Sequence, residues 1–447
     1  LTGQLYSGDR DWRMRQEWLL GVGGMILFRT LGIRVGVLHM NEGHTAFAGL
    51  ARIACLMERH ALGFDEVLHW VRQTSVFTTH TPVPAGHDVF TADSARPFVA
   101  ILAGQMGLGV DRLMALGRDP QHGDGAFSMS VCALSCAAHV NGVSQLHACV
   151  ARRMWQHLWP EVPEEHVPIG GITNGIHIGS WISPELRALL DRYLGRKWEE
   201  AHHTSKQWDR IATIPTGELW KVRNLRRDRL VQYVRMRLVE QVQRQGGGHQ
   251  ALTDAQEALD PSVLTIGFAR RFATYKRGDL ILKNPERLLA LVRDSEKPIQ
   301  LIFAGKAHPR DEQGKQIIKN IIDFIHKHGL QRQVVFIEDY DINVARVMVQ
   351  GVDIWLNNPV RPHEASGTSG MKAAVNGVLN LSVRDGWWDE AYQPGVGWSL
   401  GDRDVEPMGR EALDYQDSLT LYRLLEEEIR DLFYRRDQQD VPRDWVE

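Results

Sequence analysis

The sequence predicts an α/β protein built on doubly wound parallel sheets, and three observations carry the prediction. After residue 262, short apolar runs alternate with helical stretches, as in a parallel sheet covered by helices. The first half twice shows the order strand, polar loop, helix. The length of 447 residues, with 43% hydrophobic and 24% charged residues, suits two or three globular domains and not a disordered chain.

The elements follow in order. Residues 10–31 read as a helix carrying Trp12, Trp18 and Leu19, loosened by Gly21, Gly23 and Gly24. A strand is expected at 35–38, a polar loop with Asn41, Glu42 and His44, and a helix at 45–59. The second unit has a strand at 76–79 and a polar loop at 80–88. Residues 128–157 read as one long helix with a break near Asn141 and Gly142. A polar connector is expected at 197–216. A charged helix at 218–244 ends in Gly246, Gly247 and Gly248, a stop and a flexible joint. Five strands then alternate with helices: 263–268, 299–303, 334–337, 352–356 and 380–383. The domain junction is placed near residue 185, giving an N-terminal domain at 1–185 and a C-terminal domain at 186–447.

Composition excludes several classes. A net charge of -3 argues against a general nucleic-acid binder. No apolar run is long enough to span a bilayer, so no membrane partner is expected. Four cysteines in a chain this long do not suggest a disulfide framework. Cys132 and Cys136 read as buried core thiols, and no metal site is expected. A reducing cytoplasm fits this usage. The chain opens on Leu, and a natural start is expected to lie upstream of it.

Four segments carry chemistry. In Glu364-Ala-Ser-Gly-Thr-Ser-Gly-Met-Lys372, small residues precede a helix expected at 371–375, so backbone N–H groups converge on an anion at its N-terminus. Lys372, expected in the first turn, could form a Schiff base with an aldehyde whose phosphate occupies the loop. A solvated lysine after an ordinary glycine-rich turn is the alternative. The second segment, at 268–277, places Arg270, Arg271, Lys276 and Arg277 at a strand end. It suits an oxyanion, or is a solvated basic loop anchored by Phe272 and Tyr275. The third, Asn174-Gly175 with His177 and Trp181, reads as a turn with positive φ whose amide could also meet sugar hydroxyls. The fourth joins Asn41, Glu42 and His44 to Thr79-His80-Thr-Pro82 and His87-Asp88, groups able to act as acid and base or to line a sugar cleft.

Together these segments resemble one family, the α-glucan (glycogen, starch, maltodextrin) phosphorylases. Residues 364–372 are similar to the cofactor-lysine motif of that family, and residues 270–277 to its phosphate-binding loop. Asn174-Gly175 with Trp181, residues 41–44, Asn141-Gly142-Val143 and Asp339-Tyr340 match in order. Residues 79–88 and 357–362 point to the shorter bacterial and archaeal type. The resemblance covers nearly the whole chain. It implies a two-domain GT-B fold, two Rossmann-like doubly wound domains facing a central cleft. It also implies phosphorolysis of α-1,4-glucan by inorganic phosphate, with retention and release of glucose 1-phosphate.

Carried over residue by residue, the resemblance makes Lys372 the covalent anchor of pyridoxal 5′-phosphate. Arg270 and the amides of Thr368 and Ser369 would bind the cofactor phosphate, with Tyr340 and Trp181 packed nearby. Arg271, Lys276 and the Gly367 amide would bind substrate phosphate. Asn174, Glu364 and Ser366 would hold the glucosyl unit, and Glu42 and His44 would line the glucan side. Arg271, Lys276 and Lys372 are thus the expected catalytic set.

The family also extends beyond this sequence at both ends, and the cleft histidine that larger members place three residues before the Asn-Gly-Val motif is Ala138, with His139 beside it. The expected chain is therefore a fragment. Preferred glucan and oligomeric state are not legible, and a homodimer is left open. The competing expectations are an inactive glucan- or cofactor-holding remnant, and a GT-B glycosyltransferase that uses a nucleotide sugar and needs no lysine adduct.

Overall fold

In the computed structural model, which describes residues 9–123, 125–200, 206–401 and 409–447, the chain divides into two compact units. The first comprises Leu1–Asn174 with Pro362–Ser366, the second Gly175–Arg361 with Gly367–Glu447.

The first unit holds a four-stranded parallel sheet of β1 (Leu38–Asn41), β2 (Ser75–Thr78), β3 (His139–Gly142) and β4 (Gly170–Gly171), adjacent in that order. The strand expected at 35–38 begins only at Leu38. The buried Arg52 guanidinium explains the shift: it takes the carbonyls of Val35 (3.3 Å), Gly36 (3.0 Å) and Thr74 (2.8 Å), so residues 35–36 are tied to a side chain. Helix α1 (Phe47–His60) follows β1. The helix at 10–31 is present but changes pitch: Arg10–Trp18 and Gly24–Thr30 flank a π-turn at Leu19–Gly23. Gly21 lies so close to α1 that a Cβ would sit 2.6 Å from the Ala48 nitrogen.

The long helix expected at 128–157 is instead α2 (Met129–Ser135), strand β3 and α3 (Gln145–Trp155). Pairing with β2 wins over helical periodicity here. Asn141 accepts from the Thr78 hydroxyl (2.8 Å) inside the sheet, and the Ser144 hydroxyl accepts from the His147 N–H (3.0 Å) to start α3. Cys132 and Cys136 are buried free thiols.

The second unit starts earlier than the expected junction near 185. Ile182 and the inward leucines of α4 (Pro184–Leu194) form a small core with Trp198, packed against Leu219 and Val222 of α5 (Thr216–Arg244). Residues 201–205 of the expected connector lie outside the described residues. The charged helix α5 turns three arginines inward. Arg227 chelates Asp353 (2.8–3.1 Å), Arg226 pairs with Glu185 (3.1 Å), and Arg223 donates to the Gln350 carbonyl (2.9 Å).

The sheet of this unit has six parallel strands: β5 (Leu264–Ala269), β6 (Ile299–Ala304), β7 (Val334–Ile337), β8 (Ile354–Asn357), β9 (Leu379–Val383) and β10 (Gly397–Leu400). β5 and β6 are buried at every residue, as central strands covered on both faces must be. The order is β10-β9-β8-β5-β6-β7, so the chain reverses direction across the sheet between β5 and β8. That is a topological switch point, where doubly wound sheets bind ligands beyond the strand carboxyl ends. Helices α6 (Ile342–Gly351) and α7 (Thr368–Ala374) precede β8 and β9. The sixth strand escaped the sequence reading because Gly395 and Gly397 resemble a loop; Gly397, at φ 145°, lies where a Cβ would meet the Asn380 carbonyl at 2.5 Å. Among the described residues no single helix is long and apolar enough to cross a membrane.

Candidate functional site

The loop after β5 occupies the switch point. Arg270 follows the last residue of β5, and its guanidinium hydrogen-bonds the side chain of Asn357, the last residue of β8. Three features hold the loop in place. The Arg270 N–H donates to Ala304 (3.2 Å) and the Phe272 N–H to Lys306 (2.9 Å). Gly305, at φ 149°, packs against the Arg270 carbonyl so closely that a Cβ there would overlap its oxygen. Arg277 is buried at φ 48°, and donates to the carbonyls of Asn358 (2.7 Å) and Pro359 (2.8 Å) while pairing with Asp414 (3.1 Å) and Asp417 (2.6 Å).

The fourth cation of the basic segment is therefore its anchor, together with Phe272. Its bonds to Asn358 and Pro359, and the Val360 N–H to the Tyr275 carbonyl (2.7 Å), lock the loops after β5 and β8 together. Arg271 is exposed. His308 is pushed down by burial, then by Arg310 and by Arg271, which puts the Arg271 charge near that histidine. The Lys276 ammonium lies 4.9 Å from the Tyr275 ring centroid.

Helix α7 begins at Thr368, not at 371. Lys372 is thus its fifth residue, beyond the first turn expected from the sequence. Gly367 caps it in the left-handed region (φ 83°), as the missing Cβ permits, and no side chain caps the first amides. The helix is set tightly on the sheet: a Cβ at Gly370 would meet the Asn380 Oδ1 at 2.6 Å and the Trp387 Nε1 at 3.0 Å. The Trp355 Nε1 donates to the Ser369 hydroxyl (3.2 Å).

The Lys372 amine is carried to the face of Trp181, 4.1 Å from the ring centroid. Burial pushes its pKa below the ordinary lysine value, because desolvation disfavours the ammonium form. Asn376, one helical turn on, fixes this pair. Its Oδ1 accepts from the Ser183 N–H (2.8 Å), and its Nδ2 donates to the carbonyls of Trp181 (3.0 Å) and Lys372 (2.9 Å). The Gln350 amide donates to the same Trp181 carbonyl (3.1 Å).

Trp181 and Tyr340 pack on one hydrophobic cluster that includes Trp355 and Ala373. The Tyr340 phenol is raised by burial, against the pull of the nearby Arg270 charge. The structure thus gathers Lys372 with Trp181, Arg270 with Tyr340 and Asn357, and Ser369 with Trp355, at the carboxyl side of one sheet.

In the first unit, Glu42 follows β1 in a strained backbone conformation (φ 76°, ψ 163°). Its carboxylate clasps the loop after β2: one oxygen accepts from the His80 N–H (2.7 Å) and the Thr81 hydroxyl (2.9 Å), the other from the Gly43 N–H (3.1 Å). His87 donates to or accepts from the Ser130 hydroxyl (2.8 Å) and stands 3.9 Å from Glu42. Burial is the main cause holding His44, His80 and His87 below the usual histidine value, with Arg13 adding to the effect at His44. His147 is pushed down to about 4, again by burial.

Asn174 is tied to the end of β3 through its N–H to the Val143 carbonyl (3.1 Å). The positive-φ turn expected at Asn174-Gly175 does not form; neither residue has positive φ. Glu364 and Ser366 also belong to the first unit, where the Ser144 hydroxyl donates to the Ala365 carbonyl (2.8 Å). The Ser366 hydroxyl is buried without a hydrogen-bond partner.

Sequence reasoning assigned no role to Gly305, Asn357 or Asn376, although Asn357 opens the 357–362 motif. The spacing of Asn376, four residues after Lys372 and so on the same helical face, was a further signal.

The family model for carbohydrate phosphorylases matches residues 119–390. The chain is 45% identical over 431 residues to the maltodextrin phosphorylase of Thermococcus litoralis, covering 96% of this chain and 50% of that protein. It is 40% identical over 446 residues to the glycogen phosphorylase of Aquifex aeolicus, covering 100% of this chain and 63% of that protein. With the glycogen phosphorylase of Mycobacterium tuberculosis the identity is 41% over 459 residues, covering 100% of this chain and 52% of that protein. The chain spans between half and two thirds of the length of these relatives. Its own sequence, matched over most of the residues that build the second sheet and its loops, places the chain in the carbohydrate phosphorylase family.

Proposed function

We propose that the protein phosphorolyses α-1,4-glucan to glucose 1-phosphate with retention, using pyridoxal 5′-phosphate held by Lys372 in a GT-B fold. The carrying observation is the Lys372 amine, half-buried on the face of Trp181 with its pKa lowered by that burial. An amine must be neutral to attack an aldehyde, so this environment favours attachment. The surroundings fit the cofactor: uncapped amides at the start of α7, the Arg270 guanidinium at the switch point, and two aromatic walls in Trp181 and Tyr340. When bound, the cofactor supplies a phosphate that shares a proton with the substrate phosphate.

The chain's own residues take the following parts. Arg270 and the amides of Thr368 and Ser369 neutralise the cofactor phosphate. Arg271, Lys276 and the Gly367 amide bind inorganic phosphate, because two phosphates brought together in a low-dielectric site repel strongly without such cations. That substrate phosphate protonates the glycosidic oxygen and then attacks the anomeric carbon from the same face. Asn174, Glu364 and Ser366 hydrogen-bond the glucosyl hydroxyls; the unpartnered Ser366 hydroxyl supports this part. Glu42 shapes the glucan side by clasping residues 80–81, and His44, its pKa lowered mainly by burial, accompanies it. No carboxylate pair does the acid–base work that hydrolases require. The free thiols support a reducing, cytoplasmic setting.

The test is release of glucose 1-phosphate from maltodextrin and inorganic phosphate by the protein with added pyridoxal 5′-phosphate. Product formation that depends on both phosphate and cofactor supports the reading. Cofactor-loaded protein that forms none favours the inactive remnant, and turnover of a nucleotide sugar without cofactor favours the other transferase.

A further inference from the structure

Lys306 takes no part in the proposed site, yet the register of the two central strands sets it beside Arg271. β5 and β6 pair with a constant offset, from Leu264 with Ile299 to Ala269 with Ala304. The same offset persists past the strand ends. The Arg270 N–H donates to Ala304 (3.2 Å), the Phe272 N–H to Lys306 (2.9 Å), and Phe272 bridges Ala307 in parallel. Phe272 and Ala307 turn onto the core. Successive residues of an extended pair face opposite sides. The residues before them, Arg271 and Lys306, therefore turn outward as neighbours, and both are exposed.

Like charges opposite each other on adjacent strands repel. The loop after β6 is nevertheless held in this place. Gly305 closes on the Arg270 carbonyl, and the helix Glu312–His328 starts against the basic loop: a Cβ at Gly314 would meet the Phe272 carbonyl oxygen at 2.6 Å. Between them, the His308 Nδ1 accepts from the Arg310 N–H (3.1 Å). The charges of Arg310 and Arg271 both reach His308, so Arg310 joins the group. The carboxylates of this segment are committed elsewhere. Asp311 accepts from the Gly314 N–H (2.8 Å), and Glu312 holds Lys315 (2.6 Å). Among the described residues the side chains of Lys306 and Arg310 have no hydrogen-bond or ion-pair partner.

An anion seated across Arg271 and Lys306 relieves their repulsion, and a multiply charged one gains most. Resting on the reading of Arg271 as a ligand of inorganic phosphate, we propose that Lys306 is a further phosphate-binding residue, an outer ammonium that captures the incoming anion, with Arg310 adding to its field. Because Lys306 is exposed, salt screens its contribution. It acts on capture of phosphate more than on the chemical step.

The test uses protein loaded with pyridoxal 5′-phosphate and inorganic phosphate as the probe. Phosphate binding is read by calorimetry, and the KM for phosphate by phosphorolysis of maltodextrin, each at about 0.02 M and about 0.5 M KCl. At low salt Lys306→Gln should raise Kd and KM about threefold to fivefold and Lys306→Glu about tenfold, while Lys306→Arg restores both. At high salt the differences should shrink below about twofold. Lys327→Gln, in the last turn of the helix Glu312–His328, removes the same net charge far from the loop and should change neither value. Unchanged phosphate affinity in Lys306→Glu, or equal weakening in Lys327→Gln, overturns the proposal; the reading of Arg271 then stands if Arg271→Gln still loses phosphate. If the parent binds no phosphate, or Arg271→Gln binds it as well as the parent does, that reading fails and the proposal with it.

Discussion

Gly305→Ala should disable the basic loop without altering one of its side chains. Gly305 sits at φ 149°, which an L side chain rarely adopts, and its missing Cβ makes room for the Arg270 carbonyl oxygen and for the Phe272 ring at 2.9 Å. That carbonyl is main chain at the end of a buried central strand, so it has no rotamer to retreat to. The strained backbone costs about 1–3 kcal/mol, and forcing a methyl group into a filled site about 1–3 kcal/mol more. A loss of about 2–6 kcal/mol is expected, less where Arg270 shifts to relieve the overlap. Such a shift moves the Arg270 guanidinium off Asn357, so cofactor affinity should fall about tenfold.

Urea titration at constant m-value reads the first effect and an absorbance titration with pyridoxal 5′-phosphate the second. Gly329→Ala is the control. Gly329 is also left-handed (φ 64°), but a Cβ there meets nothing within 4 Å, so only about 1 kcal/mol should be lost. Equal losses in the two variants, or unchanged cofactor affinity in Gly305→Ala, would refute the steric argument.

Asn376→Ala removes three hydrogen bonds and leaves the buried Ser183 N–H without its acceptor, so it should cost about 2–4 kcal/mol by urea titration; a loss under about 0.5 kcal/mol would mean the helix and the Trp181 segment do not depend on it. Lys276→Ala should lower phosphorolysis by about 10²–10³-fold while retaining cofactor attachment, because it removes one charge from the substrate phosphate only; loss of attachment would contradict its assigned role. His147, at about 4 in the folded protein, is depressed from 6.5, so the unfolded chain takes up the proton first. Its contribution is fully present above pH 6.5 and is lost as pH falls towards 4, by about 1.4 kcal/mol per pH unit within that window. Denaturation of His147→Gln at pH 4.5 and 7 should show that much less pH dependence than the parent, and an identical slope would remove His147 from the account.

Much of the second sheet was legible because its central strands are buried on both faces, so each reads as a mostly apolar run between helices, broken only at Thr265, Gln300 and Asn357. The first unit was less so. Its strand β3 is four residues long and includes Asn141 and Gly142; only pairing with β2 makes it a strand. The start of β1 was obscured in the same way, since Arg52 reaches the Val35 and Gly36 carbonyls from a distant position in sequence.

The small-residue run before Lys372 was visible as a motif because its chemistry is local. The division of labour within the basic segment was not. Arg270, Arg271, Lys276 and Arg277 look alike as cations, and it is burial between Asp414 and Asp417, more than a hundred residues away, that makes Arg277 an anchor. The same holds for Glu42: its carboxylate looked available in the sequence, whereas both oxygens are engaged by neighbouring donors.

Reduction with borohydride after incubation with pyridoxal 5′-phosphate, followed by peptide mass mapping, tests the central claim most directly. A stable pyridoxyl group on Lys372 is the expected result, absent from Lys372→Ala. Folded protein that acquires no such group, or acquires it on another lysine, would contradict the assignment of the α7 lysine as the cofactor anchor.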